Sequence, residues 1–147
     1  MRISIVLLLF LLTGCSGGKT TSSGSDNAQS LRAGSISCTA AYRADVSQPI
    51  EREETITFED VNGEQTIALA DMSLHVGYDT GEMDNERALR LWVTDAGDAT
   101  IYQRQLYQLS QDSGPDNQFK GGHGFTGLNY VYHPDSSSEL QFWCQAE

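Results

Sequence analysis

The sequence predicts one small all-β domain, an antiparallel β-barrel or β-sandwich of about seven or eight strands. Three observations predict it. Apolar residues recur at every second position, turn residues interrupt these stretches at short intervals, and no stretch shows an internal repeat, a heptad or a long helical period. Ile36, Cys38, Ala40, Tyr42 and Ala44 alternate with mostly polar residues, the pattern of a half-buried strand. Ile56 and Phe58 mark a second strand, and Asn62-Gly63 is a hairpin signal leading to Ile67 and Leu69. Met72, Leu74, Val76 and Tyr78 follow, then Leu89, Leu91 and Val93, then a turn at Asp95-Ala96-Gly97-Asp98. A strand over Thr100 to Leu109 precedes a loop at Ser110 to Asn117 that contains Gly114-Pro115. Phe125 to Tyr132 and Glu139 to Gln145 complete the pattern, separated by His133-Pro134-Asp135-Ser136.

The start of the chain has a different character. Met1-Arg2 is positively charged, and Ile3 to Leu12 is apolar apart from Ser4, the layout of a secretory signal. The run is about half the roughly 20 residues that a membrane-spanning helix needs. The following Leu12-Thr13-Gly14-Cys15 resembles the lipobox of bacterial lipoproteins: an aliphatic residue, two small ones and the cysteine that is acylated. The resemblance covers residues 1 to 15. It implies that 1–14 are removed, that Cys15 carries the lipid, and that the protein is held to a membrane by that anchor. Ser16 stands where the family's inner-membrane retention signal would be an aspartate, which implies an outer-membrane protein facing the periplasm. Residues 15–34 are the lipidated cysteine and a tether of Ser, Gly, Thr, Asn and Gln, too polar to form a core. The domain is then residues 35–147.

Cysteine parity follows from the same resemblance. With Cys15 acylated, Cys38 and Cys144 remain as one pair in a compartment that permits disulfides; two free buried thiols are the alternative. A bridge would tie the first strand to the last. It fits neighbouring strands closing an up-and-down barrel, the arrangement favoured here, and also a bridge between two packed sheets.

Few residues promise chemistry. His123 and His133 flank the Phe125–Tyr132 stretch, and a straight strand of ten residues would hold them roughly 30 Å apart. His75 alternates away from Leu74 and Val76 and is expected to face outward. No metal site and no cofactor are expected, and no nucleophile elbow, phosphate loop or zinc-protease motif occurs. Phe119 to Gly127 holds four glycines around His123, read first as a bend and second as a ligand-contacting loop. The acidic stretch Asp79 to Glu86 lacks calcium-loop spacing and reads as a solvated turn.

Charge and aromatics bear on partners. From residue 36 onward six Lys and Arg stand against nineteen Asp and Glu, a balance of −13. That field excludes nucleic acid as a partner and favours cationic proteins, or simply solubility. Trp92 and Trp143 lie opposite the apolar faces of their strands, and Tyr130 and Tyr132 share a face. With His123 they form the candidate binding surface if these faces point outward; if the strands pack on both sides, they are core.

The sequence therefore points to a non-catalytic, lipid-anchored binding or scaffolding domain of the cell envelope. A second reading is an inhibitor of a cationic envelope-attacking enzyme, since the general plan is similar to lipoprotein inhibitors of lysozyme; no inhibitory residues are carried over. A third is an enzyme with His123 as general base.

Overall fold

A computed structural model describes residues 35–59, 63–79, 87–109, 115–119 and 121–147. The signal peptide, Cys15 and the tether through residue 34 lie outside the described residues, as do Asn62 and most of the acidic stretch, residues 80–86. Eight strands run through the described residues: β1 (Ile36–Arg43), β2 (Arg52–Phe58), β3 (Gly63–Ala68), β4 (Met72–Asp79), β5 (Ala88–Asp95), β6 (Ile101–Gln108), β7 (Asn129–Tyr132) and β8 (Glu139–Ala146). They form two four-stranded antiparallel sheets, one in the order β2-β1-β8-β7 and the other β3-β4-β5-β6.

The period-two pattern explains the layering. Leu74, Val76 and Tyr78 of β4, Leu89, Leu91 and Val93 of β5, and Leu140, Phe142 and Cys144 of β8 all point to the same buried core. Each fully buried Leu, Val or Phe side chain contributes about 1.5–3 kcal/mol relative to exposure. One sheet alone could not bury such a face; two sheets sharing a core can.

The first and last strands are neighbours, with Cys38 directly opposite Cys144. Their disulfide spans 106 residues, with Cα atoms 4.1 Å apart. The Cys144 N–H donates to Thr126 Oγ1 at 2.7 Å, and its carbonyl accepts from the Phe125 N–H at 3.1 Å. Both backbone groups are thus spent on the side away from β1. The cysteines form a non-hydrogen-bonded antiparallel pair, the position where facing side chains come closest.

Three expectations require correction. The favoured barrel does not close, because backbone pairing among the described residues stops at β2 and β3 on one side and at β7 and β6 on the other. Side chains bridge these seams instead. Gln65 Nε2 donates to the Thr57 carbonyl at 3.1 Å, and Gln105 Nε2 donates to Asn129 Oδ1 at 2.8 Å. Next, the strands on either side of Asn62-Gly63 do not form a hairpin: β2 pairs with β1 and β3 with β4, so the chain changes sheets there. Finally, the expected Phe125–Tyr132 strand begins only at Asn129, because Gly124 and Gly127 adopt φ of +60° and +72°. Thr126 is therefore buried against Cys144 and does not share the outward face of Tyr130.

The two sheets are also clasped at one end. Asp71, between β3 and β4, accepts hydrogen bonds at Oδ2 from Ser138 (2.7 Å) and Ser136 (3.0 Å), which both lie between β7 and β8. Burial raises the Asp71 carboxyl pKa, but the hydroxyls of Ser138, Tyr42 and Ser136, with the charge of His133, outweigh it and hold the group below its ordinary 3.8.

Candidate functional site

The outer face of the first sheet carries four of the five expected binding residues. Trp143 points outward between buried Phe142 and Cys144. On β7, Tyr130 and Tyr132 flank buried Val131 and are 46% and 58% exposed. Tyr130 sits opposite Gln141 and Tyr132 opposite Glu139, so Tyr132, Tyr130 and Trp143 occupy successive rows about 7 Å apart along the strands.

His123 reaches this face through the glycine-rich loop. Its ring meets the Trp143 ring nearly edge-on, with centroids 5.3 Å apart and planes at 84°. The loop lies directly on β8: a Cβ at Gly124 would fall 2.1 Å from the Cys144 carbonyl oxygen. The Gly127 N–H donates to the His123 carbonyl at 3.1 Å, and the Phe119 N–H to the Gly124 carbonyl at 3.0 Å, which tightens the loop further. Glycine is needed here both for close approach and for positive φ. No hydrogen bond among the described residues joins the His123 ring to a carboxylate, as a general base would use.

A half-buried ion pair supports Tyr132. Glu139 is 1% exposed, and its Oε1 accepts from Arg43 at 2.7 Å and Gln141 at 2.6 Å. Burial raises its pKa, yet Arg43, Gln141 and Tyr132 together bring it below its ordinary value. The same hydrogen bond to Glu139 holds the Tyr132 hydroxyl above its ordinary 10.0.

Trp92 is elsewhere. It projects from β5 on the outer face of the second sheet, so the two tryptophans point away from the shared core on opposite sides of the molecule. Its ring stacks on His75 of β4, with centroids 5.1 Å apart and planes at 5°. His75 does lie on the outward side of its strand, but it is only 7% exposed. Trp92 covers it, and its nitrogens are engaged: Nδ1 with Thr66 Oγ1 at 3.0 Å, Nε2 with Asp98 Oδ1 at 2.9 Å and Thr94 Oγ1 at 3.0 Å. Asp98 belongs to the β5–β6 turn and has a φ of +56°. The Thr94 hydroxyl, then His75, holds the Asp98 carboxyl below its ordinary pKa. The histidine thereby ties the turn to three strands, and this histidine–threonine–aspartate cluster is a structural tie.

Beside Trp92 the second sheet opens into a groove of about 360 Å³ lined by Glu64, Arg90, Trp92, Arg104, Gln105 and Leu106. That volume lies within the range of small-molecule sites, about 300–1,000 Å³. Of these residues, sequence reasoning singled out Trp92 alone. The signal for Arg90 was present: it alternates with Leu89 and Leu91 and so shares the outward face of Trp92. Arg104 joins them through strand register, which places it directly opposite Trp92. No family model, no curated protein and no solved structure matches this chain.

Proposed function

We propose that this protein is a lipid-anchored component of the bacterial cell envelope whose domain, an open β-sandwich, binds a cationic protein partner without covalent chemistry. The anchor is Cys15, and the outer membrane facing the periplasm is its site. The observation that carries the binding reading is the outer face of β7 and β8, where Tyr130 and Tyr132 stand exposed beside the packed Trp143–His123 pair. Exposed aromatic side chains of low rotamer freedom are the residues that dominate interface energies. Glu53 lies in the same cross-strand row as Tyr130, through Ala41 and Gln141, and the full chain carries a net charge of −11. Charge then sets the association rate, and the aromatics set the lifetime of the complex.

The acidic balance also favours the narrower reading, an inhibitor of a cationic enzyme such as lysozyme, because such an enzyme is the kind of partner this surface would attract. One experiment with two arms tests both parts of the proposal. Fatty-acid-analogue labelling and membrane fractionation of the full chain should show acylation that Cys15→Ala abolishes. Titration of the full chain with lysozyme should show binding that weakens as salt rises and falls about tenfold or more in Tyr130→Ala/Tyr132→Ala. Acylation undiminished in Cys15→Ala overturns the anchor. Binding indifferent to salt and to the tyrosines overturns the recognition surface, and inhibition of lysozyme activity alongside binding selects the inhibitor reading.

A further inference from the structure

The groove on the second sheet differs chemically from the other described surfaces. In a chain of net charge −11 it brings two arginines to one opening. Register explains how. Arg90 sits opposite Leu106 and Trp92 opposite Arg104, so the two arginines are diagonal neighbours across β5 and β6. Diagonal pairs lie about 7–8 Å apart at the backbone, within reach of two long side chains converging on one group. Arg90 is oriented by Asp79 at 2.8 Å. Arg104 makes no ion pair among the described residues, whereas Arg43 and Arg52 are each matched by a glutamate.

The remaining walls narrow the choice of ligand. Trp92 is held flat by its stack on His75, so stacking a further ring against its surroundings costs little added order. Gly77 separates Glu64 from Arg90 in a single cross-strand row, Glu64–Gly77–Arg90–Leu106. A Cβ at Gly77 would already touch the Arg90 guanidinium at 3.4 Å and the Trp92 ring at 3.6 Å, so any larger side chain there would intrude between them. The absent side chain leaves Glu64 and the arginines facing one opening. A bare anion would gain from the arginines and be repelled by Glu64. A ligand that carries a carboxylate and hydroxyl donors on one ring satisfies both ends, and its C–H faces match Trp92 and the 67%-exposed Leu106.

We infer that this groove is a binding site for an acidic sugar residue of a glycan, with Arg104 and Arg90 on its carboxylate, Glu64 on its hydroxyls and Trp92 against its ring. The site is separate from the aromatic face of β7 and β8 and stands without it.

Calorimetric titration of the full chain with three probes tests the assignment: a galacturonic acid trisaccharide, its methyl ester and inorganic phosphate. The trisaccharide should bind. Esterification should weaken binding about tenfold or more, since it removes the charge the arginines read, and Arg104→Gln should do the same. Arg104→Lys, which keeps charge without the two-pronged geometry, should fall between. Arg104 is exposed, and an unchanged near-ultraviolet circular dichroism spectrum will show that the variants are folded. No binding of the trisaccharide, equal binding of acid and ester, or binding indifferent to Arg104→Gln would each overturn the proposal. Phosphate binding as tightly as the trisaccharide would also overturn it, by showing a bare anion site.

Discussion

Trp143 and Trp92 hold matching places in the two sheets. Each points outward from the third strand in its order, β8 in one and β5 in the other, beside an edge strand. Their surroundings differ because the edges differ. Beside Trp92 runs β6, eight residues long, and its register sets Arg104 and Leu106 at fixed places around the ring. Beside Trp143 the edge strand β7 has only four residues, and the chain before it turns through Gly124 and Gly127. There a loop delivers His123 where a strand would have delivered an alternating residue. A complete edge strand yields a groove with a chequered arrangement of charge and apolar surface; a glycine-shortened one yields an aromatic face. The supports differ as well. Trp143 sits next to the Cys38–Cys144 bridge, whereas Trp92 rests on a histidine held by non-covalent contacts, its hydrogen bonds to Thr66, Thr94 and Asp98.

That contrast can be broken from the covalent side first. Cys144→Ser removes a bridge across 106 residues and should cost about 2–5 kcal/mol of stability, read as a marked fall in Tm on thermal unfolding. A Tm within a degree or two of wild type would mean that β1–β8 pairing holds this sheet without the bridge.

His75→Ala tests the other support. It removes the stack under Trp92 and strips Thr66 and Asp98 of a partner, so a loss of about 1–3 kcal/mol is expected in denaturant unfolding. The variant should also shift Trp92 fluorescence while the disulfide remains intact in peptide mapping. Unaltered stability would assign the β5–β6 turn to its backbone and to Asp95, whose side chain accepts from the Ala99 N–H at 2.8 Å.

The smallest effect concerns the clasp between the sheets. The Asp71 pKa is lower in the folded chain than its ordinary 3.8, so its contribution is fully present above that value and is lost as pH falls below it. Asp71→Asn should therefore flatten part of the stability loss that wild type shows on acidification below about pH 4. Parallel curves of Tm against pH for the two proteins would show that the hydroxyls around Asp71 do not discriminate the ionised form.

Most of the fold was legible because alternation is a local property. Leu89, Leu91 and Val93 announce an inward face wherever the strand ends up, and Trp92 between them must then point the other way. The cysteines made a tie between the first and last strands legible, but not whether it joined neighbouring strands or two packed sheets; the structure places them on paired strands. The seams were not. Asn62-Gly63 reads as a hairpin, yet β2 pairs with β1 and β3 with β4 in different sheets, a choice of partner that a local turn signal does not carry. His75 was legible in direction and not in burial, since the ring that covers it comes from a strand whose register cannot be read from His75 itself.

The sequence by itself determined an all-β domain whose strands carry apolar residues on one face and tryptophans and tyrosines on the other, and an acidic balance of −13 from residue 36 onward. These follow from residue type and spacing, which act within one strand. Only the tertiary structure decided that the sheets stay open, that Trp92 and Trp143 face opposite ways, and that Arg104 stands opposite Trp92. Those depend on which strands pair and in what register, and a shift of one residue would turn each of these side chains to the other face.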